Sequence, residues 1–292
     1  MAAYRTVVAV GIAALALRCA PCAAQDAASD SGGTWALGLA AQVDEESNDS
    51  LLATLNWGVT PSTWLSFSAG RSSSPADRAN VSADTLIAGV DHRFGSAGVA
   101  FEVEHWGDAD ALETADLRAT FYFERERFRI GIAHEQRDID VPFTLIGPLG
   151  GVLHRTAHLT SDSTALDARV SPAERWQIYF AAEEYDYERN LALLPRVDSL
   201  NLLSASTLTL ANGFIDHARM IGVEREIGRI LLNVSFTRDV SAVDASRFKT
   251  SEVAVLFPVA RRVDLEVTLG RGRSDLLDSG LYGGVLFLIY GR

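Results

Sequence analysis

The chain has 292 residues, is 48% apolar and 22% charged, and carries a formal net charge of −12. With Lys249 as its sole lysine and no basic stripe, so acidic a chain is a poor candidate for binding nucleic acid. No run of about 18 apolar residues follows the N-terminal segment, so the sequence supplies no membrane helix.

Residues 1–24 read as a secretory signal peptide. Arg5 precedes an apolar run from Val7 to Leu17, and Cys22-Ala23-Ala24 offers small residues at a cleavage site. Both cysteines, Cys19 and Cys22, fall in that segment, where Arg18 and Pro21 spoil a lipoprotein box. The mature chain then has no disulfides and is more acidic still. Residues 25–33 form a Ser/Gly/Asp linker, and 34–292 make one domain.

That domain opens with Trp35, Leu37, Leu39, Ala41 and Val43 in alternation, the mark of a strand with one apolar face. The acidic loop Asp44–Ser50 leads to a second strand, Leu51, Ala53, Leu55, Trp57 and Val59. Pro61-Ser62 turns into a third, Leu65, Phe67 and Ala69, followed by a Ser-rich loop, Arg71–Asn80. Leu86, Ala88, Val90 and Phe94 mark a fourth, closed by the turn Gly95-Ser96-Ala97-Gly98. The clearest alternation comes next, in three passes: Val99 to Val103, Leu117 to Phe123, and Phe128 to Ile132. The loose acidic segment Gly107–Glu113 joins the first two, and the tight Glu124–Arg127 joins the second to the third.

From Asp138 to Ser161 the spacing predicts that the seventh and eighth strands run on beyond the membrane and meet at Gly147–Gly151. Leu166, Ala168 and Val170 then face lipid, Ser171–Glu174 turns, and Trp176, Ile178, Phe180 and Ala182 form the ninth strand. The excursion Tyr187–Asn212 is open between loop, rim helix and extra strand. Order returns with Ala218–Glu224, the turn Arg225–Gly228, and Ile230 to Phe236. Val253 to Phe257 and Val263 to Leu269 are joined by Pro258–Arg261, and Arg271–Gly280 leads to Tyr282–Tyr290.

The pattern totals fourteen strands, with six short turns alternating with seven longer loops. An even number puts both ends on one side, as bacterial barrels require. Twelve or sixteen strands stay open because of the stretches 138–161 and 187–213. Trp35, Trp57, Phe94, Phe123, Phe128, Trp176, Phe257 and Tyr290 share apolar-face parity at strand ends beside short turns or a terminus. Rings collected there predict an aromatic girdle at the periplasmic membrane interface. A soluble β-sandwich would explain the alternation but not that sorting.

In this grammar the chain resembles the bacterial outer-membrane β-barrels, and its strand count resembles the fourteen-stranded monomeric channels. The resemblance is one of pattern over the whole mature chain. It implies an antiparallel up-and-down transmembrane β-barrel, located in the outer membrane of a Gram-negative cell, monomeric, surrounded by lipids and lipopolysaccharide. The last strand, Tyr282–Tyr290, is similar to the C-terminal signal read by the barrel-insertion machinery. The family ends on an aromatic residue, whereas this chain runs on through Gly291-Arg292.

Polar-face parity places Glu102, Glu104, Arg118, Tyr122, Glu124, Arg129, Asp167, Arg169, Tyr179, Arg229, Asp264 and Glu266 inside the barrel. They either line a pore or pair across strands and brace a filled interior. Asp44, Glu45, Glu46, Asp49, Asp108, Asp110, Glu113, Asp275 and Asp278 crowd the expected extracellular mouth, which favours cations. The same acids could instead hold divalent cations between lipopolysaccharide headgroups. His105 and His134 have lipid-face parity, His217 is expected inward beside Arg219, and His154 and His158 share a side without other metal ligands nearby. No zinc, phosphate-loop or dinucleotide signature appears, so neither metal nor cofactor is expected. The reading is therefore a passive channel for small solutes. A closed structural or surface-interaction barrel is the alternative, and a rim-active lipid hydrolase a third. The apolar cast of Val141–Leu153 and Leu191–Leu203 also leaves room for a hydrophobic substrate.

Overall fold

The computed structural model describes residues 34–45, 47–76, 79–108, 112–146, 152–188, 214–242, 245–275 and 279–291, of which 74–76, 79–81, 142–146 and 152–153 by their backbone alone. The expected signal peptide and linker, residues 189–213 of the long excursion, and Glu46, Asp110 and Asp278 of the acidic mouth lie outside them.

The strands are β1 Trp35–Asp44, β2 Asp49–Thr60, β3 Thr63–Ala76, β4 Ala79–Phe94, β5 Ala97–Asp108, β6 Leu112–Arg125 and β7 Phe128–Ile146. They continue with β8 Val152–Ala173, β9 Trp176–Tyr187, β10 Ile215–Ile227, β11 Ile230–Ser241, β12 Arg247–Ala260, β13 Val263–Ser274 and β14 Gly280–Gly291. Each pairs antiparallel with its sequence neighbours, and β1 closes on β14, with Trp35 opposite Gly291 and Val43 opposite Gly283. The result is a closed fourteen-strand barrel with no free edge, so every strand finds its backbone partners within the wall.

The pleat sends alternate side chains in and out. Outward positions carry the large exposed apolar residues, among them Leu55, Phe67, Leu86, Phe121, Ile132, Phe236 and Phe287. On β1 this face runs from Trp35 to Val43, which at strand rise and barrel tilt spans roughly 20 Å, close to a lipid core.

All six turns at one end are two residues long: 61–62, 95–96, 126–127, 174–175, 228–229 and 261–262. Five of the expected turns therefore sit later or tighter than the sequence spacing placed them. Gly95 and Gly228 take φ near +68° and +67°, the left-handed conformation that lets two residues reverse the chain. At the other end the strands overshoot the apolar band. The expected loop Arg71–Asn80 is mostly ladder, paired out to Ala76 opposite Ala79. Strands β7 and β8 pair out to Ile146 opposite Val152, as their spacing had suggested. Backbone pairing persists there in water without an apolar face to announce it.

Candidate functional site: the barrel lumen

Eleven of the twelve side chains expected inside lie on inward positions of their strands. Arg229 does not. It sits exposed in the two-residue turn after Gly228, because β10 runs on to Ile227 rather than ending at Glu224. The wall between β4 and β9 is built in tiers. Nearest the short turns, Tyr122 donates to Asp91 at 2.6 Å, Arg93 donates to Glu124 at 2.6 Å, and the Arg129 guanidinium lies 4.0 Å over the Tyr122 ring. Above them Arg118 donates to Glu135 at 2.9 Å and to Glu183 at 2.8 Å, reaching from β6 across to β9. Ser163 also donates to Glu183, at 2.7 Å.

The next tier holds Arg137, which donates to Asp116 at 2.9 Å and Glu135 at 3.0 Å and lies 5.2 Å over the Tyr185 ring. The acids here are nearly closed to solvent, Glu135 at 1% exposure. Above this network, Leu112, Ile139, Leu159 and Phe214 pack together with Trp106, Val141, Tyr187 and Ala242 against them. The apolar cast expected around Val141 thus contributes, in its described part, to a packed cluster.

From β10 to β14 the inner face differs. Glu224, Asp239, Glu252, Asp264 and Glu266 face inward, and no inward base accompanies them on those strands. Tyr282 donates to Glu252 at 2.8 Å, Asn233 donates to Glu224 at 3.1 Å, and Asp239 lies within reach of the His217 charge. Glu266 feels the charge of both Glu252 and Glu224. Three inward tyrosines lie across glycines on the adjacent strand: Tyr122 over Gly98, Tyr179 over Gly222 and Tyr282 over Gly270. A Cβ at those glycines would come within 2.2 Å of the ring.

Between these walls is a cavity of about 430 Å³. On one side its polar lining is Gln42, Thr54, Ser66, Ser68 and Thr85, and on the other Asp167, Arg169, Tyr179, Glu252 and Glu266, with Leu52, Ile87, Met220, Leu286 and several alanines between them. Glu102, Glu104, Arg118 and Arg129 also border it. Among the described residues no group of three or more potential metal ligands occurs.

Of the expected girdle, Trp35, Trp57, Phe94, Phe123, Phe128, Trp176 and Phe257 lie on outward positions beside the two-residue turns or β14. Trp35 stands opposite Trp57, and Phe123 and Phe128 are 5.9 Å apart. Tyr290 is a correction. It shares the inward parity of Leu286 and Leu288 and hydrogen-bonds Asp264, because pairing of Phe287 with Leu265 fixes the register. His217 is a second correction, lying outward opposite Glu184 with Arg219 on the same face. His154 and His158 do share the outer face of β8, where His158 meets Asp140. At the mouth Asp44 accepts from the Asn48 backbone at 2.9 Å and so ties its own tight loop.

Asp91, Arg93, Asp116, Glu135, Arg137, Glu183, Glu224 and Glu252 escaped the sequence reading. Parity held the signal: Glu135 and Arg137 continue the inward series Arg129, Gly131, Ala133. What no periodicity could give was that Arg118 spans from β6 to β9.

No family profile matches the chain, and no curated protein matches it. Among solved structures, the outer-membrane protein OmpT of Vibrio cholerae aligns over 88% of this chain and 96% of its own, at 10% identity and a TM-score of 0.50. A form of that protein lacking loop L8 aligns over 90% and 100%, with the same identity and score. The KdgM porin aligns over 86% and 98% at 8% identity, with a TM-score of 0.42. At such identities the similarity is one of fold. The chain has the architecture of the bacterial outer-membrane β-barrels.

Proposed function

We propose that the protein is a porin-like channel of the bacterial outer membrane, exported through a cleaved signal peptide, that lets small polar solutes diffuse passively. The observation that carries this reading is the 430 Å³ cavity into which charged and hydroxyl-bearing side chains project from opposite walls of the barrel, among aliphatic ones such as Leu52, Ile87, Met220 and Leu286. The polar groups on both walls give small hydrophilic solutes hydrogen-bonding partners along that space. Eight-stranded barrels are filled by side chains and sixteen-stranded ones are open, so fourteen strands leave the width for a restricted pore.

A closed structural barrel is favoured by a different observation. The tiers from Arg118 to Phe214 occupy one side of the lumen. Conductance of the purified protein in a planar bilayer separates the two. Stepwise openings are expected. Persistent silence, from protein whose unboiled and boiled forms migrate differently on a gel, would favour the closed barrel.

A further inference from the structure

On β10 to β13 the outer face carries a row of bases where the inner face carries acids. The register puts Arg219 opposite Arg238, Arg238 opposite Lys249, and Lys249 opposite Arg273. All four are outward and exposed. Directly opposed side chains on neighbouring strands stand about 5 Å apart at Cβ, so this is a row of like charges that repel. None of the four is ion-paired among the described residues. The neighbouring stretch of rim carries acids instead, Glu113 facing Asp140 and Asp162 facing Asp186 on the outside of β6 to β9, with His105, His158 and His134 beside Glu113, Asp140 and Asp162. A basic row is therefore a feature of these four strands and not of the rim in general.

Its height narrows the occupant. Ile221, Phe236, Val253 and Leu269 are the outward apolar residues one or two steps nearer the lipid core on the same strands. The row thus stands directly over the acyl-chain band, on the end with the longer connections. A ligand that touches both must carry acyl chains below and anionic groups above. Guanidinium forks match phosphate oxygens in pairs, and a bound dianion would turn the repulsion into attraction. We propose that the outer face of β10–β13 binds the phosphorylated headgroup of an outer-leaflet lipid, the chemistry of lipopolysaccharide. This rests on placement in the outer membrane but not on the lumen being open.

The test measures binding of intact phosphorylated lipopolysaccharide, of its dephosphorylated form, and of a deacylated phosphorylated saccharide to the detergent-solubilised barrel by native mass spectrometry. The intact lipid is expected to bind roughly tenfold tighter than the dephosphorylated one. Combining Arg219→Gln, Arg238→Gln, Lys249→Gln and Arg273→Gln should abolish that preference. Because the changes are exposed and relieve repulsion, the lipid-free variant should resist heat as well as the parent. Conductance should not change, since the row lies outside the lumen. Equal binding of phosphorylated and dephosphorylated lipid by the unaltered protein would overturn the site, and needs no variant. So would a preference that survives the four substitutions. A deacylated saccharide binding as tightly as the intact lipid would make this a site for free phosphate esters and overturn the lipid assignment.

Discussion

The two sides of the barrel place charge in opposite ways. On β5 to β9 the inner acids and bases are interleaved and meet at hydrogen-bond distance, while the outer rim is acidic. On β10 to β13 the inner face carries acids without bases, and the outer rim is basic. A charge taken out of water needs a counter-charge or close dipoles. The first side meets that need within the protein and so behaves as structure. On the second side Glu252 and Glu224 have neutral hydrogen-bond partners, Tyr282 and Asn233, which fits the solute path proposed above, running along β10 to β14 and the Ser/Thr-bearing β2 to β4.

The comparison breaks most readily at Arg118. Arg118→Ala leaves Glu135 and Glu183 buried together without their shared cation, and should cost about 3–5 kcal/mol in a urea unfolding titration of the lipid-embedded barrel. Glu252→Gln keeps its Tyr282 neighbour and should cost no more than about 1 kcal/mol. Equal costs would erase the distinction between a side braced by ion pairs and a side whose acids have neutral partners.

At mid-depth the lipid face should not share the asymmetry. Ala119→Arg on β6 and Val253→Arg on β12 should each cost about 2–4 kcal/mol, whereas Trp57→Arg at the rim should cost about 0–1 kcal/mol. A wide gap between the first two, or a worse result at Trp57, would misplace the membrane boundary. The tyrosine-over-glycine contacts are likewise common to both sides. Gly98→Ala and Gly270→Ala each push a Cβ into a ring and should cost about 1–3 kcal/mol by the same assay, and a neutral result at either would show that its ring can move aside.

Strand number and faces were legible because one face meets lipid, so alternation is enforced wherever the membrane is. It failed where that contrast vanishes. Arg71 to Ser74 is polar on both faces, and β14 is apolar on both, so neither the ladder beyond Ala69 nor the inward turn of Tyr290 could be seen. Arg229 was misplaced because Gly228 closes the turn in two residues, which lengthens β10. The lumen's composition was partly readable from parity, but its pairings were not. Contacts such as Arg118 with Glu183 join residues 65 apart on strands that are not neighbours, and depend on the curvature of the wall.

The reversal potential under a salt gradient tests most directly the claim that an open path runs along the acidic wall. Unmatched Glu224, Glu252 and Glu266 should raise the local cation concentration, over roughly 8 Å at 0.15 M salt, so the unaltered protein should prefer cations weakly and less so as salt rises. Glu252→Gln with Glu266→Gln should move the potential toward zero at unchanged fold. A clear anion preference, or a potential indifferent to both substitutions, would contradict the account.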